Sequence, residues 1–534
     1  MSAPDSKNTR TTGFFGLPSQ WLSSLTPMNN GVAGRFEGEV SDLVIFGEVP
    51  KELDGTFYRI MVDPFYPLQE GNPPIEGDGN ICAFRIHDGR VNMKTRYVDT
   101  ERLVLERRAN KRLFGLYRNP FSHHPCVQAA VDSTANTNLI FWAGRLLALK
   151  ESAMPYAVDP DTLETLEYDP FGCPGKTFAA HPKYDPLKDE LVCFGYEAKG
   201  LGTVDVVVYA LDRKGQIHHE TWVKSPWAAF IHDCAITANY IILVLWPYEA
   251  NVDRMKNGGH HWQYNTSRPA TFIVVPRRAS QIPRSWAPNE CRFYHWDHAL
   301  LLHTAGAWEE SDKIYLKSSR MAYNTFPIFD PESHERNFDF KADYVRWEID
   351  FTKPTNSKVS DPRVILDMPS EMVRMDERYF TRPYDRLFCP VVAPKQSPLP
   401  PVLPVALNAY LMFDKESGKK ITFDPGSHCT VEEPIFIPRS DDAVEGDGWV
   451  MGMVQRMDVN RSDVVVLDTK AFSQPVAVIQ LPFRTKMQVH GNWVDSTSIN
   501  LALGRDRKDF LREYKIFKVG GNGALGSHAE ERRE

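Results

Sequence analysis

From Val40 onward the chain alternates short apolar runs with turn residues, and the runs have the length and period of strands. VIFGEVP, GTFYRIMV and NICAFRIHDGRVNMKTRYV come first, and in the third the HDG between two β-rich runs predicts a hairpin turn. TNLIFWAGRLLALKE, YAVDPDTLETL, DVVVYALDRKGQIHHETWV, KADYVRWEIDFT, LNAYLMFDKESGKKITF and DVVVLDTKAFSQPVAVIQLP repeat the theme. Each reads as a strand, a turn carrying Asp, Gly or Lys, and a second strand. Residues 101–125 interrupt the series with a basic, helix-like stretch, expected as an insertion above the strands. Ser225 to Tyr248 is the most apolar segment, rich in β-branched and aromatic residues and bounded by prolines; it predicts two buried strands joined by a short turn. In its middle stand His232 and Asp233, which must be bonded to something, because unpaired polar groups are costly to bury.

Hairpins recurring over most of the chain favour a β-propeller over a sandwich or a doubly wound sheet, although no WD or kelch signature is present. The 534 residues would allow two to four domains, and one large repeat fold fits equally well. We divide the chain into an arm over residues 1–30, a single propeller domain over 31–518, and a disordered tail over 519–534. Insertions at 250–300, 320–340 and 390–405, rich in Pro, His and aromatics, are expected to cap one face.

Composition narrows the function classes. With 42% hydrophobic residues the chain can bury a large core, and no apolar run reaches the roughly 18 residues of a membrane span. The formal net charge of −7 argues against a nucleic-acid surface. Eight cysteines without a CxxC pair argue against a zinc ribbon or a disulfide framework. Without a signal-peptide pattern at the N-terminus, the cytoplasm is the expected location.

Four histidines share one context. His181 in KTFAAHPKYDP, His232, His303 in LLLHTAGAWEE and His490 in FRTKMQVHGNWV each stand at or beside the end of an apolar run. Imidazole suits iron, copper, zinc and nickel, and four such positions are what a metal site on a propeller axis requires. Carboxylates accepting the distal N–H of each ring would offset the metal charge. Glu151, Glu371 and Glu433 stand among apolar residues where a free carboxylate would be out of place, with Glu377 competing with Glu371. Among 16 histidines and 69 acidic residues, such a choice could also arise by chance. The paired His123–His124, His218–His219 and His260–His261 read as solvated turns, and His295 and His298 as non-ligands.

GEVPKELDGTFYR, EGDGN, AVDPDTLET, AAHPKYDP, FIHDCAIT, HTAGAWEE, EPIFIPR and VHGNWV, in this order, resemble the carotenoid cleavage oxygenase family along nearly the whole chain. The resemblance implies a seven-bladed propeller with a helical and loop dome. It also implies Fe(II) bound by His181, His232, His303 and His490, with Glu151, Glu371 and Glu433 behind them.

The sequence departs from the plant and animal carotenoid cleavers at RIMVDPFYP, where they have Arg-Asn-Gly-Pro, and at GDGN, where they have GDGM. Lys150, before Glu151, and Tyr117 instead match the subgroup that cleaves phenolic stilbenes and related aryl alkenes, in which a Tyr–Lys pair grips a 4-hydroxyl. A nearby cation favours the phenolate, which pushes electron density into the conjugated double bond. The implied reaction takes a small phenolic alkene and O2 to two aldehydes. Its substrates would be 4-hydroxystilbenes such as resveratrol or piceatannol, or 4-hydroxyphenylpropenoids such as isoeugenol, which gives vanillin. Phe326 is expected in the wall of the apolar tunnel. The competing readings are an apocarotenoid cleaver and a non-catalytic binding platform.

Overall fold

The computed structural model of the protein describes residues 35–283, 285–326, 329, 342–393 and 407–504. The arm and the tail expected at the termini lie outside them, as do most of the insertions at 320–340 and 390–405.

Seven sheets form the blades of a propeller. Blade one runs from Gln488–Asp495 at the axis through Gly55–Val62, Gly79–His87 and Arg90–Tyr97 to Gly38–Val40. Its inner strand thus comes from the far end of the chain, while Val44–Gly47 crosses to the outer edge of blade seven and pairs with Pro475–Gln480. The two ends of the domain are thereby stitched into each other's blades, which leaves no open seam in the ring. Blade two is Asn138–Trp142 to Thr165–Tyr168, and blade three is Lys183–Asp185 to Ile217–Lys224. Blades four and five begin at Cys234–Ile236 and Thr304–Glu310. In blade six the segment around Ser370 and Arg374 bridges to Arg386–Val391 on the axial side. In blade seven Cys429–Val431 and Ile435–Pro438 share Gly448–Arg456.

Apolar cores lie between successive blades. Phe57, Phe84, Trp449 and Ile479 fill the space between blades seven and one, and Phe272, Leu316, Val345 and Trp347 that between four and five. A middle strand is therefore covered on both faces. Glu190–Tyr196 and Tyr240–Leu245 are buried at every position, which is why they read as continuous apolar runs. The outer strand Ile217–Lys224 is mostly exposed.

The predicted hairpins are present, with His87–Arg90 turning through Asp88 and Gly89, both at positive φ. KADYVRWEIDFT is different. It contains one nine-residue strand, Ala342–Asp350, paired along its length with Lys313–Met321. The segment reads as two strands and a turn, but its Arg346, Glu348 and Asp350 are the partly exposed positions of one strand whose other residues are buried. The insertion expected at 250–300 is only partly a cap. Val252–Lys256 is a short helix and Tyr248–Ala250 pairs with Trp262–Tyr264, but Thr271–Pro276 and Arg292–His295 are strands of blade four. Of the basic stretch at 101–125, only Glu101–Ala109 is α-helical, capped by the Thr100 side chain.

Candidate metal centre

The inner strands all start at one end of the propeller, and the four histidines stand at those starts. His181 and His232 each lie two residues before Lys183–Asp185 and Cys234–Ile236, His303 directly precedes Thr304–Glu310, and His490 is the third residue of Gln488–Asp495. Their ligand atoms all lie within 4.8 Å of one another, and they form the only such group of possible metal ligands among the described residues. The next residue after His490 has to be glycine, because a Cβ on Gly491 would stand 2.0 Å from the Tyr58 carbonyl oxygen.

Each of three rings has its Nδ1 on a carboxylate. His232 pairs with Glu151, His303 with Glu371 at 2.5 Å, and His490 with Glu433 at 3.0 Å. Donation from Nδ1 fixes the tautomer and leaves Nε2 as the free acceptor. The Nε2 atoms of His181 and His232 lie 3.1 Å apart, and those of His232 and His303 3.0 Å. Lone pairs facing each other at that distance repel, and the His490 Nε2 is buried without a partner. A cation removes both problems. Two ligands at right angles, each about 2.1 Å from an ion, lie about 3.0 Å apart, so the residues fit a bound metal.

The electrostatics support ionised acids and neutral rings at His181 and His490. Burial disfavours the charge on Glu151, but His232 and Lys150 outweigh it and hold the carboxyl at about 2. Burial likewise opposes ionisation of Glu371 and Glu433. His303 and Ser319 overcome it for the first, His490, Arg374 and Arg59 for the second, and both carboxyls stay below their ordinary range. Burial lowers His490 to about 4 despite Glu433, and takes His181 well below the usual imidazole value. His303 is raised, because Glu371 more than offsets its burial.

His181 has no carboxylate of this kind among the described residues. Its strand is held through Asp233 instead. One Asp233 oxygen accepts from the Cys234 backbone N–H at 2.7 Å and pairs with the Lys183 ammonium at 2.8 Å; the other accepts from the backbone and hydroxyl of Thr304 at 2.7 and 2.9 Å. The inner strands of blades three, four and five are thus tied at one buried carboxylate, which is the satisfaction that a His-Asp pair in an apolar run demanded. Arg59 does similar work on the other side. It donates to the Glu433 carbonyl at 3.1 Å and the Gln488 carbonyl at 2.5 Å, while Arg374 bridges Glu433 at 3.3 Å and Asn492 at 2.7 Å.

Glu377, the competitor of Glu371, is 42% exposed and paired with Arg374. His298 hydrogen-bonds Tyr264 and the Arg268 carbonyl, and His295 ends an outer strand of blade four. Two histidines expected in solvated turns are buried instead. His123 sits between Asp132 and the Gly115 N–H, and His261 between Glu197 and the Arg118 carbonyl. The partners of His261 come from segments far along the chain, which a local reading of polarity does not register.

Beside the metal centre the cavity wall changes character. Trp246 lies against the His232 ring with centroids 4.7 Å apart, Phe326 stacks on Trp246 at 5.7 Å, and Phe230 packs against Trp246 at 4.6 Å. Lys150 is buried, with its Nζ donating to the Asn136 side-chain oxygen at 3.0 Å and standing 5.1 Å from the centroid of the Tyr117 ring. The Asn136 amide is fixed by donation to the carbonyls of Ile75 and Gly77 at 2.9 and 2.6 Å. Burial holds the Lys150 amine below the ordinary lysine range, although Glu151 pulls the other way. The Tyr117 hydroxyl is pushed up by burial, and Glu151 adds to the effect.

Sequence reasoning passed over Arg59, Arg374, Asn136 and Trp246. A signal existed for Arg59, the lone charge in a strand buried at every position. Nothing in its neighbours marks Asn136.

All eight cysteines are free, and among the described residues no helix is long and apolar enough to cross a membrane. Comparison with known proteins places the chain. A profile of the retinal pigment epithelial membrane protein family matches residues 32–495. Resveratrol cleavage oxygenase 1 of Botryotinia fuckeliana is 52% identical over 527 residues, covering 98% of this chain and 93% of that protein. Isoeugenol monooxygenase of Pseudomonas putida is 36% identical over 86% of this chain and 95% of its own length. The crystal structure of Pseudomonas brassicacearum lignostilbene dioxygenase superposes with a TM-score of 0.81 at 36% identity, over 88% of this chain and 99% of that one. The chain belongs to the retinal pigment epithelial membrane protein family, the carotenoid cleavage oxygenases whose motifs its sequence carries.

Proposed function

We propose that this protein is an Fe(II)-dependent dioxygenase that splits the conjugated C=C bond of 4-hydroxystilbenes or 4-hydroxyphenylpropenoids, giving one aldehyde from each alkene carbon and consuming one O2. His181, His232, His303 and His490 would hold the iron, with Glu151, Glu371 and Glu433 balancing its charge. When bound, the iron supplies the activation of O2 that the spin-paired alkene cannot provide.

The observation that carries the substrate class is Lys150. It is a buried amine hydrogen-bonded to a neutral amide, with no carboxylate within ion-pair reach among the described residues. Such a group is costly unless a ligand completes it. A 4-hydroxyl placed between Lys150 and Tyr117 supplies the completion. The phenol proton moves to the Lys150 Nζ, whose burial favours the neutral amine, and the ammonium then pairs with the phenolate. Tyr117, kept protonated by its burial, donates its hydroxyl to the same oxygen. The phenolate drives electron density through the ring toward the alkene. Trp246, Phe230 and Phe326 offer the flat apolar surface that holds the alkene near the metal and keeps water away.

The names of three relatives, which act on resveratrol, isoeugenol and lignostilbenes, support the same class. An apocarotenoid brings no phenol and would leave Lys150 unmatched. Eight free cysteines favour a reducing compartment, and we assign the enzyme to the cytoplasm. The test is product analysis with iron-loaded protein. Two aldehydes from resveratrol and none from an apocarotenal are expected; the opposite pattern would move the assignment to the apocarotenoid class.

A further inference from the structure

The metal centre has a second side. A cavity of about 400 Å³ runs from His181, His303 and Glu433 along the inner strands to the face of the propeller away from Tyr117 and Phe326. Its lining follows those strands past the histidines, through Lys183, Thr304 and Asn492, to Arg213, Glu377 and Ser498 at the outer end. Arg213 and Glu377 are 52% and 42% exposed, so the far end opens to solvent. None of the aromatic rings beside His232 lines it.

Its walls mix apolar side chains such as Phe141, Phe380 and Trp493 with charged ones, and the charges are already paired. Lys183 is held by Asp233 at 2.8 Å, and Arg374 by Glu377 and Glu433 at 2.6 and 3.3 Å. Counting Arg213 and Asp495, four carboxylates face three cations. A divalent cation travelling here meets no net positive barrier, whereas on the other side it meets Lys150 and aromatic rings. Size agrees. A water takes about 30 Å³, so the six waters of an octahedral aquo ion need about 180 Å³, less than half of the cavity.

We propose that this axial cavity is the loading route of the metal: a hydrated divalent cation enters at the Arg213–Ser498 mouth and reaches the four imidazoles from the face opposite the aromatic wall. The cation would exchange waters for Nε2 lone pairs, beginning at His181 and His303, the two of the four histidines that line the cavity. The displaced waters drain into the same cavity. The inference rests on the metal centre and not on the substrate assignment.

Its test is the rate at which metal-stripped, full-length protein takes up Co(II), followed by the absorption of the bound ion. Ser498→Lys adds a positive charge at the mouth and should slow uptake at least about threefold at low ionic strength. Arg213→Glu reverses one and should speed it by a similar factor. Both differences should collapse near 1 M salt, where the screening length falls to about 3 Å, and the equilibrium affinity should stay unchanged. Arg213 is at an exposed position, so that arm survives if Ser498→Lys folds poorly. Wild-type uptake rates in both variants at low salt would overturn the route. So would a Phe326→Ala protein that loads faster than Arg213→Glu, because the ion would then be entering past the aromatic wall.

Discussion

Two buried basic side chains within this one site behave in opposite ways. Arg59 is fully buried and its guanidinium reaches the Glu433 carbonyl and carboxylate, the Gln488 carbonyl and, at 3.7 Å, Glu432. Lys150 is almost as deeply buried, yet it has one hydrogen bond, to a neutral side chain. A buried charge surrounded by carboxylates is part of the frame, and removing a partner costs the frame. A buried charge left short of partners is an incomplete site, and what completes it comes from outside the protein. On the proposed function, the comparison separates the region that would hold the metal from the region that would select a substrate.

The largest expected effect lies on the frame side. His303→Ala removes one of four imidazoles and also strands Glu371, so we expect metal content to fall to background in elemental analysis and turnover to disappear. Full occupancy in that variant would mean that the four rings do not act as one site.

Lys150→Met comes next and acts on the other side of the comparison. It should keep wild-type metal content and lose at least about two orders of magnitude in kcat/KM on a phenolic stilbene, the scale of lost proton-transfer help. pH sharpens the same point. The neutral amine is the form that accepts the phenol proton, and burial lowers its pKa, so wild-type kcat/KM should rise with pH and level off below the ordinary lysine value. In Lys150→Met the rise should move up toward the free phenol, near pH 10. An unshifted profile would remove Lys150 from the proton transfer.

Glu151→Gln stands between the two regions, because Glu151 faces both His232 and Lys150. A loss of about 10- to 100-fold in metal affinity or activity is expected, typical of a carboxylate behind a ligating imidazole. Titration of metal binding would show wild-type affinity if the Glu151–His232 bond carried no weight.

The smallest effect belongs to Phe326→Ala. The ring stacks on Trp246, so KM should rise by about tenfold at most while kcat and metal content change little. A kcat collapse would show that the ring positions the reacting alkene rather than merely lining its path.

The frame was far more legible in the sequence than the substrate side. Each ligand histidine sits where an apolar run begins or ends, and the motifs around it extend over several residues, so both local pattern and family resemblance point to the same positions. Glu371 could not be separated from Glu377 by pattern, since the two acids stand only six positions apart; only folding brings one onto His303 and leaves the other on Arg374. Lys150 and Tyr117 are 33 positions apart in a chain where each looks ordinary, and their proximity depends on how the 101–125 insertion lies against blade two. Asn136, which orients Lys150, carries no sequence signal because its role is set by two backbone carbonyls of another loop. The Ala342–Asp350 strand was misread for a related reason: Arg346, Glu348 and Asp350 stand at its partly exposed positions, and their meaning depended on which strand became the neighbour.

The central claim is that Lys150 is left short of partners so that a phenol can complete it. It is tested most directly by comparing wild-type kcat/KM for a 4-hydroxystilbene and for its 4-methoxy analogue, which has the same alkene and cannot ionise. The account predicts a loss of at least about two orders of magnitude for the methoxy compound, and no such difference in Lys150→Met. Equal cleavage of the two compounds by the wild-type protein would contradict it.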